Sequence, residues 1–228
     1  MRFKNLVLVG TSHIAKESVE EVGEVIKNET PNVVALELDK QRMYALLNKD
    51  KARPGIKSIR RIGIKGFLFS IVGSWVERKL GEKVGVSPGS EMLQAYKIAR
   101  ENKIDVALID QDIEITLKRF SKSLTWKEKW RFVVDLFKGL IFKQEVIKID
   151  LSKVPSKEII AKLLKQVKDR YPNVYKVLVE ERNNFMAARL AQMIYRFPDK
   201  KIVAFIGAGH EKEILSLVKK YLNTETKE

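Results

Sequence analysis

The two histidines of this 228-residue chain both end a Gly-x-x-His pattern. One pattern is Gly10–His13 and the other is Gly207–His210, and each directly follows a short apolar run. With 12 glycines in the chain, a glycine three residues before both histidines is a coincidence on the order of 1 in 400 by composition alone. The repetition therefore predicts one site, to which the two ends of the chain each bring an imidazole.

Acidic residues follow the other apolar runs, and two imidazoles with carboxylates are a natural ligand set for a divalent metal ion. Glu37 interrupts an apolar run, where an unpaired buried carboxylate is costly, so it is either functional or half of a structural ion pair. Two roles are equally favoured for Arg42: it pairs with Glu37, or it binds a carboxylate of the substrate. Asp39 is expected to be an ordinary helix N-cap. Of Asp110 and Asp112, one is expected only to cap a turn.

A predicted helix over 92–100 carries another candidate carboxylate near its start. Ser90 is predicted as the N-cap of this helix, and Glu91 then lies in its first turn. Capping alone would explain Glu91, and a role in the site is an equal alternative.

A second predicted helix begins near 181 with Glu181 and Arg182. Its apolar face is expected to include Phe185 and Ala188, with Met186 as a further candidate, and Glu181 stands four residues before Phe185, hence on the same face. A carboxylate and a guanidinium that enter a buried face indicate either a site or an internal salt bridge.

Four short runs rich in Val, Ile and Leu predict buried parallel strands, and helical spacing follows several of them. The runs are Leu6–Val9, Val33–Leu38, Val106–Ile109 and Ile202–Ile206. This alternation predicts an α/β fold, with a central sheet of mainly parallel strands flanked by helices. We expect a single domain over 1–228, with helical insertions at about 49–90 and 116–180 that form a cap. Ligands of such sheets bind outside the carboxyl ends of the strands, where both Gly-x-x-His patterns fall.

The net charge of +15 is concentrated in two stretches, 49–65 and 118–148. Of the three tryptophans, Trp126 and Trp130 lie in the second stretch and Trp75 follows the first. Such clusters attract anionic surfaces, so an anionic membrane is a candidate partner. Nucleic acid is not an expected partner, because the chain has no recognisable binding motif for it.

The absence of cysteine excludes a disulfide scaffold and a thiolate metal site. With no signal peptide or spanning segment expected, we predict a cytoplasmic protein, with membrane association and homo-oligomerisation left open.

Six motifs, in order along nearly the whole chain, resemble those of the TraB/PrgY/GumN family, which is related to the Tiki metalloproteases. They are Val9–His13, Val34–Leu38 with Arg42, Pro88–Met92, Leu108–Ile113 with Thr116, Leu117 and Arg119, Glu181–Asn183 with Met186 and Ala187, and Gly207–His210. The chain departs from the family at Gln111, where similar members often carry Arg, so any charge role there is absent.

The resemblance implies an EreA/ChaN-like α/β fold and a metal-dependent peptidase that acts on short peptides, such as pheromone-like or N-terminal segments. It places a divalent ion (Mn, Co or Zn) on His13, Glu37 and His210. It implies Glu91, or else Glu181, as the proton acceptor. The alternative function is a non-catalytic, membrane-associated scaffold or regulatory protein that keeps the fold.

The remaining site residues implied by the resemblance are cationic or polar. Arg182 is expected to stabilise an oxyanion. Arg42, Arg119 and Asn183 are expected to bind the substrate.

Overall fold

The computed structural model describes residues 1–11, 16–48, 89–128, 130–131, 134–135 and 157–225. These residues form a five-stranded sheet of order β1-β2-β5-β3-β4, in which β1 runs antiparallel to β2 and the other pairs are parallel. The strands are β1 (Arg2–Phe3), β2 (Leu6–Thr11), β3 (Val33–Leu36), β4 (Asp105–Leu108) and β5 (Ile202–Gly207). The prediction of a mainly parallel α/β sheet is confirmed.

The helices precede, follow and connect these strands. They are α1 (Lys16–Glu29), α2 (Lys40–Leu47), α3 (Ser90–Glu101), α4 (Ile113–Ser123), α5 (Lys157–Arg170), α6 (Pro172–Tyr175), α7 (Glu181–Arg196) and α8 (Glu211–Glu225). A π-helical segment, Lys176–Glu180, joins α6 directly to α7. No helix among the described residues is long and apolar enough to cross a membrane.

The central strand β5 is buried along its whole length and divides the core in two. Successive side chains of a strand point to opposite faces of the sheet. One face of β5 therefore presents Ile202, Ala204 and Ile206 to α7 and α8. The other face presents Val203 and Phe205 to residues of α1, α2 and α3. Both faces of the parallel sheet are covered, which explains why its strands are apolar at almost every position.

Two local predictions are corrected by the structure. The strand predicted as Val33–Leu38 ends at Leu36, so Glu37 lies just beyond its carboxyl end. Ser90 is not an N-cap but the first residue of α3, and Gly89 occupies the cap position with a φ of 78°. That left-handed conformation favours glycine, and a Cβ there would also lie only 3.0 Å from Leu46 Cδ2.

The face of α7 that packs on the sheet also differs from the prediction. Phe185 and Ala188 are exposed, and Glu181 is only half-buried. The buried stripe instead consists of Asn183, Met186, Ala187, Leu190, Ala191 and Ile194. These positions follow the three- and four-residue steps of one helix face. The polar member of that stripe is Asn183, which α7 carries into the core.

Several predictions lie outside the described residues. They include His13, Trp75 and almost all of the insertion at 49–90. Of the insertion at 116–180, the described parts are mostly helical. A cap over the sheet stays a prediction.

Candidate functional site

The end of β2 lies against the turn that follows β5. Gly10 is level with Ile206 and Thr11 with Gly207 in the parallel register of the two strands. Ala208 N donates a hydrogen bond to Thr11 O at 2.9 Å, which ties the second turn to the end of β2. A Cβ on Gly10 would lie 3.0 Å from Ala208 Cα, so the first glycine of the pattern permits this close approach. The prediction that the two Gly-x-x-His segments leave neighbouring strands is confirmed.

Glu37 is buried between α7 and the turn that follows β5, with 1% of its surface exposed. Its backbone N–H donates to Phe205 O at 3.1 Å, which extends the pairing of β3 with β5 by one residue. The carboxylate Oε2 accepts a hydrogen bond of 2.5 Å from Gly207 N. The other oxygen, Oε1, accepts from Arg182 Nη2 and lies 3.6 Å from His210 Nε2. Glu37 therefore contacts the second Gly-x-x-His turn at both its beginning and its end.

Two arginines compensate the negative charges of Glu37 and of a second carboxylate, Asp110. Arg182 donates to both carboxylate oxygens of Asp110, at 3.0 and 2.7 Å, as well as to Glu37. Arg42 donates to Asp110 Oδ2 at 3.0 Å and to the backbone carbonyl of Glu37 at 2.6 Å. We call Glu37, Arg42, Asp110 and Arg182 the charge cluster. Both carboxylates of the cluster are paired with a guanidinium, which is how buried charges are tolerated in a protein interior. Arg42 Nε also lies 3.7 Å from Asp39 Oδ2.

Arg182 is charged in this environment. Burial by itself would lower its pKa, but the carboxylates of Glu37 and Asp110 raise the pKa above the ordinary arginine value. Its Nη1 also donates to Leu178 O at 3.2 Å, a carbonyl of the π-helical segment. Of the two readings of Arg182 from sequence, the structure places it in an internal salt bridge.

His210 is held through its other ring nitrogen. The Nδ1 atom is hydrogen-bonded to Asn183 Oδ1, and Asn183 Nδ2 donates to Glu213 Oε2 at 2.9 Å. Asn183 is fully buried, so it reaches His210 from the core side of the site. A histidine that ligates a metal through one nitrogen commonly has the other nitrogen held by such a partner.

The spacing of His210 and Glu37 fits two ligands of one ion. Ligand bonds of 2.0–2.2 Å in a tetrahedral zinc site separate neighbouring ligand atoms by about 3.4 Å. The separation of His210 Nε2 from Glu37 Oε1 is 3.6 Å. Within the described ranges no group of three or more such ligand residues stands ready for a metal. The third ligand predicted from sequence, His13, lies outside those ranges, so the metal set stays a prediction.

The other predicted site residues lie in three different settings. Glu91 is fully buried in the first turn of α3. Glu181 pairs with Arg119 at 2.6 Å, and the side chain of Arg119 is 57% exposed. Asp39 caps α2 as predicted, by accepting from the backbone N–H groups of Gln41 and Arg42. Burial raises the pKa of Asp39 despite these hydrogen bonds.

Two residues of the site were not among those proposed from sequence. Asp110 was recognised as a strand-end carboxylate, but its position as the common partner of both arginines was not. Glu213 was not considered at all. The signal for Glu213 is its place three residues after His210, one turn further along the start of α8.

Comparison with known proteins agrees with this architecture. A family model described as the TraB/PrgY/gumN family matches residues 3–221. An uncharacterised protein of Methanocaldococcus jannaschii is 36% identical over 225 residues, which cover 96% of this chain and 54% of that protein. TraB domain-containing proteins of Bos taurus and Homo sapiens are 26% and 25% identical, over 89% of this chain and 59% and 60% of their own lengths. The chain thus spans a little more than half the length of these relatives, and it belongs to the TraB/PrgY/gumN family.

Proposed function

We propose that the chain is a divalent-metal-dependent hydrolase that cleaves peptides, with its reaction centre at the carboxyl ends of β2, β3 and β5. The observation that carries the proposal is the parallel pairing of β2 with β5, in which the first glycines of the two Gly-x-x-His patterns lie within one residue of the same level. The direction of His210 Nε2 towards the Glu37 carboxylate supports it further.

The proposed metal ligands are His210, Glu37 and His13. The chemistry that a bound divalent ion supplies is polarisation of the scissile carbonyl and a lower pKa for an attacking water. The proposed proton acceptor is Glu91, whose carboxylate is fully buried. Glu181 is the weaker candidate for this role, because its carboxylate is paired with Arg119.

The contacts of the arginines change the roles that we assign to them. Arg182 has five N–H donors, and its bonds to Glu37, Asp110 and Leu178 O occupy four of them. Arg42 is similarly committed to Asp110 and to the Glu37 backbone. We therefore propose both as positioning residues that hold Glu37. Arg119, which is largely exposed, keeps the proposed role of contacting the substrate.

A peptide digest with and without chelator tests the proposed activity directly. Purified protein loaded with Mn²⁺, Co²⁺ or Zn²⁺ is expected to cleave members of a random peptide library, as read by mass spectrometry. Removal of the metal with EDTA should end cleavage, because the carbonyl and the water lose their polarising group. Re-addition of the same metal should restore cleavage. Equal cleavage before and after chelation would rule out the metal-dependent mechanism.

A second candidate function, a membrane-bound scaffold, is favoured by two exposed tryptophans. The side chains of Trp126 and Trp130 are 82% and 69% exposed, four residues apart, with Lys127 and Arg131 beside them. Indole rings next to basic residues are typical of segments that bind at the surface of an anionic bilayer.

Liposome co-sedimentation tests this second function. Vesicles that contain phosphatidylserine are expected to bind the protein at low salt, and to release it as screening increases. Trp126→Ser with Trp130→Ser should weaken binding, whereas Tyr195→Ser, at an aromatic side chain that is 71% exposed on α7, is the matched control. Equal binding by the two variants, or no binding at low salt, would refute this function.

A further inference from the structure

A chain of hydrogen bonds runs from the proposed metal site into the helical layer. It begins at His210 Nδ1, passes through both ends of the Asn183 amide and reaches Glu213 Oε2. The three residues come from the second Gly-x-x-His turn, from α7 and from the first turn of α8. We call Asn183 and Glu213 the relay pair.

We propose that the relay pair are positioning residues that fix the tautomer of His210, so that its Nε2 lone pair faces Glu37. The proposal rests on the proposed function for its consequence, since a lone pair on Nε2 is what a metal ion requires. It assigns Asn183 a role inside the protein, in place of the substrate contact expected from sequence.

The donors and acceptors of the relay pair leave one consistent arrangement. A carboxylate only accepts hydrogen bonds, so the atom of Asn183 that faces Glu213 must be its NH₂ group. The amide oxygen of Asn183 then faces His210, and an oxygen only accepts. His210 Nδ1 must therefore carry a proton, and when the ring is neutral Nε2 has the lone pair. The orientation of one amide thus determines which ring nitrogen is available.

A phenol also lies close to Glu213. The pKa of Tyr175 is raised, first by burial and then by the negative charge of Glu213 and a hydrogen bond to it. Tyr175 is the last residue of α6, immediately before the π-helical segment. Glu213 therefore has both a phenol and the amide of Asn183 as neighbours that can donate to it.

The burial of Asn183 further restricts the orientation of its side-chain amide. Asn183 is fully buried, so water cannot replace either of its hydrogen-bond partners. A flipped amide would place its oxygen against the carboxylate of Glu213 and its NH₂ group against Nδ1. That arrangement loses a charge-assisted hydrogen bond, the stronger of the two kinds.

The test reads the tautomer by ¹⁵N NMR in metal-free protein. The chain has two histidines, so a His13→Gln background leaves the His210 imidazole as the only ring signal. Spectra are recorded over a series of pH values, and the tautomer is read where the imidazole signals no longer change as pH rises. In this background His210 is expected to be protonated at Nδ1. Adding Glu213→Gln should let the amide of Asn183 flip, and the Nε2-protonated form should become the major species.

Two further variants separate this effect from general damage. Asn183→Asp, combined with Glu213→Gln, should restore the Nδ1-protonated form, because either oxygen of the new carboxylate accepts from Nδ1. Glu101→Gln, at an exposed position on α3, should leave the tautomer unchanged. In protein that retains His13, Glu213→Gln should weaken Zn²⁺ binding by about 10- to 100-fold, as is usual when the outer partner of a ligand is lost.

The outcomes distinguish this inference from the proposed function. An unchanged tautomer in Glu213→Gln overturns the inference, whether or not the protein binds metal. A tautomer that changes and is restored by Asn183→Asp supports the inference, even if the unaltered protein binds no Zn²⁺. In that last case the proposed function fails while the role of the relay pair stands.

Discussion

Replacing His210 with alanine is expected to abolish stoichiometric binding of a divalent metal ion. The unaltered protein should bind about one ion per chain, measured by calorimetry with Mn²⁺, Co²⁺ or Zn²⁺. Loss of an outer partner typically costs 10- to 100-fold in affinity, so the loss of a ligand should exceed about 100-fold. His13→Ala is expected to have the same effect. Affinity in the unaltered protein should fall as pH drops through about 6.5, because a protonated imidazole cannot bind a metal.

The matched control for His210→Ala is Lys212→Ala, an exposed position two residues further along in the first turn of α8. This variant removes a side chain beside the same turn and should leave metal affinity unchanged. Metal binding that survives in the His13→Ala, His210→Ala double variant would place the ion elsewhere and remove the basis of the proposed hydrolase.

The sheet and the pairing of the two motifs could be predicted from sequence for simple reasons. Buried parallel strands are apolar at nearly every position, so runs such as Ile202–Ile206 are visible without knowledge of their neighbours. The carboxyl ends of parallel strands share one edge of the sheet, so two turns that follow such strands lie at the same edge. The two-residue strand β1 was missed because a segment that short has no periodicity.

The face of α7 that packs on the sheet was predicted only in part. Phe185 and Ala188 point outward, whereas Met186 lies in the buried stripe together with Asn183. An apolar residue on a helix is not necessarily buried, so the sequence did not distinguish the stripe through Met186 and Ala187 from the neighbouring one through Phe185 and Ala188.

The charge cluster could not be predicted because its members come from four separate parts of the chain. Glu37 follows β3, Arg42 lies on α2, Asp110 follows β4 and Arg182 lies on α7. From sequence, Glu37 and Arg42 were considered as an ion pair and Arg182 as part of an internal salt bridge, but Asp110 was not identified as the shared partner of the two arginines. What selects the observed partners is burial, since the side chains of Glu37 and Asp110 have 2% and 0% of their surface exposed. Burial of this kind depends on the assembled fold.

Replacing Arg182 with methionine should therefore lower the free energy of unfolding by about 3–5 kcal/mol, the usual cost of removing one partner from a buried ion pair. Methionine keeps an unbranched apolar chain of similar reach, so most of the loss comes from charge. Two carboxylates would remain buried, while Arg42 stays bonded to Asp110 and to the backbone carbonyl of Glu37. Urea denaturation followed by circular dichroism measures the change as a lower midpoint.

Arg119→Met is the matched control, because Arg119 also pairs with a carboxylate but its side chain is 57% exposed. Exposed ion pairs contribute about 0–1 kcal/mol, so this variant should unfold close to the midpoint of the unaltered protein. Adding Glu37→Gln and Asp110→Asn to Arg182→Met should recover part of the lost stability, because the uncompensated charges are then gone. Equal destabilisation by Arg182→Met and Arg119→Met would show that burial does not determine how much the charge cluster contributes to the free energy of unfolding. If the loss of stability remains after the two carboxylates are replaced with neutral amides, its cause is packing around the arginine side chain instead.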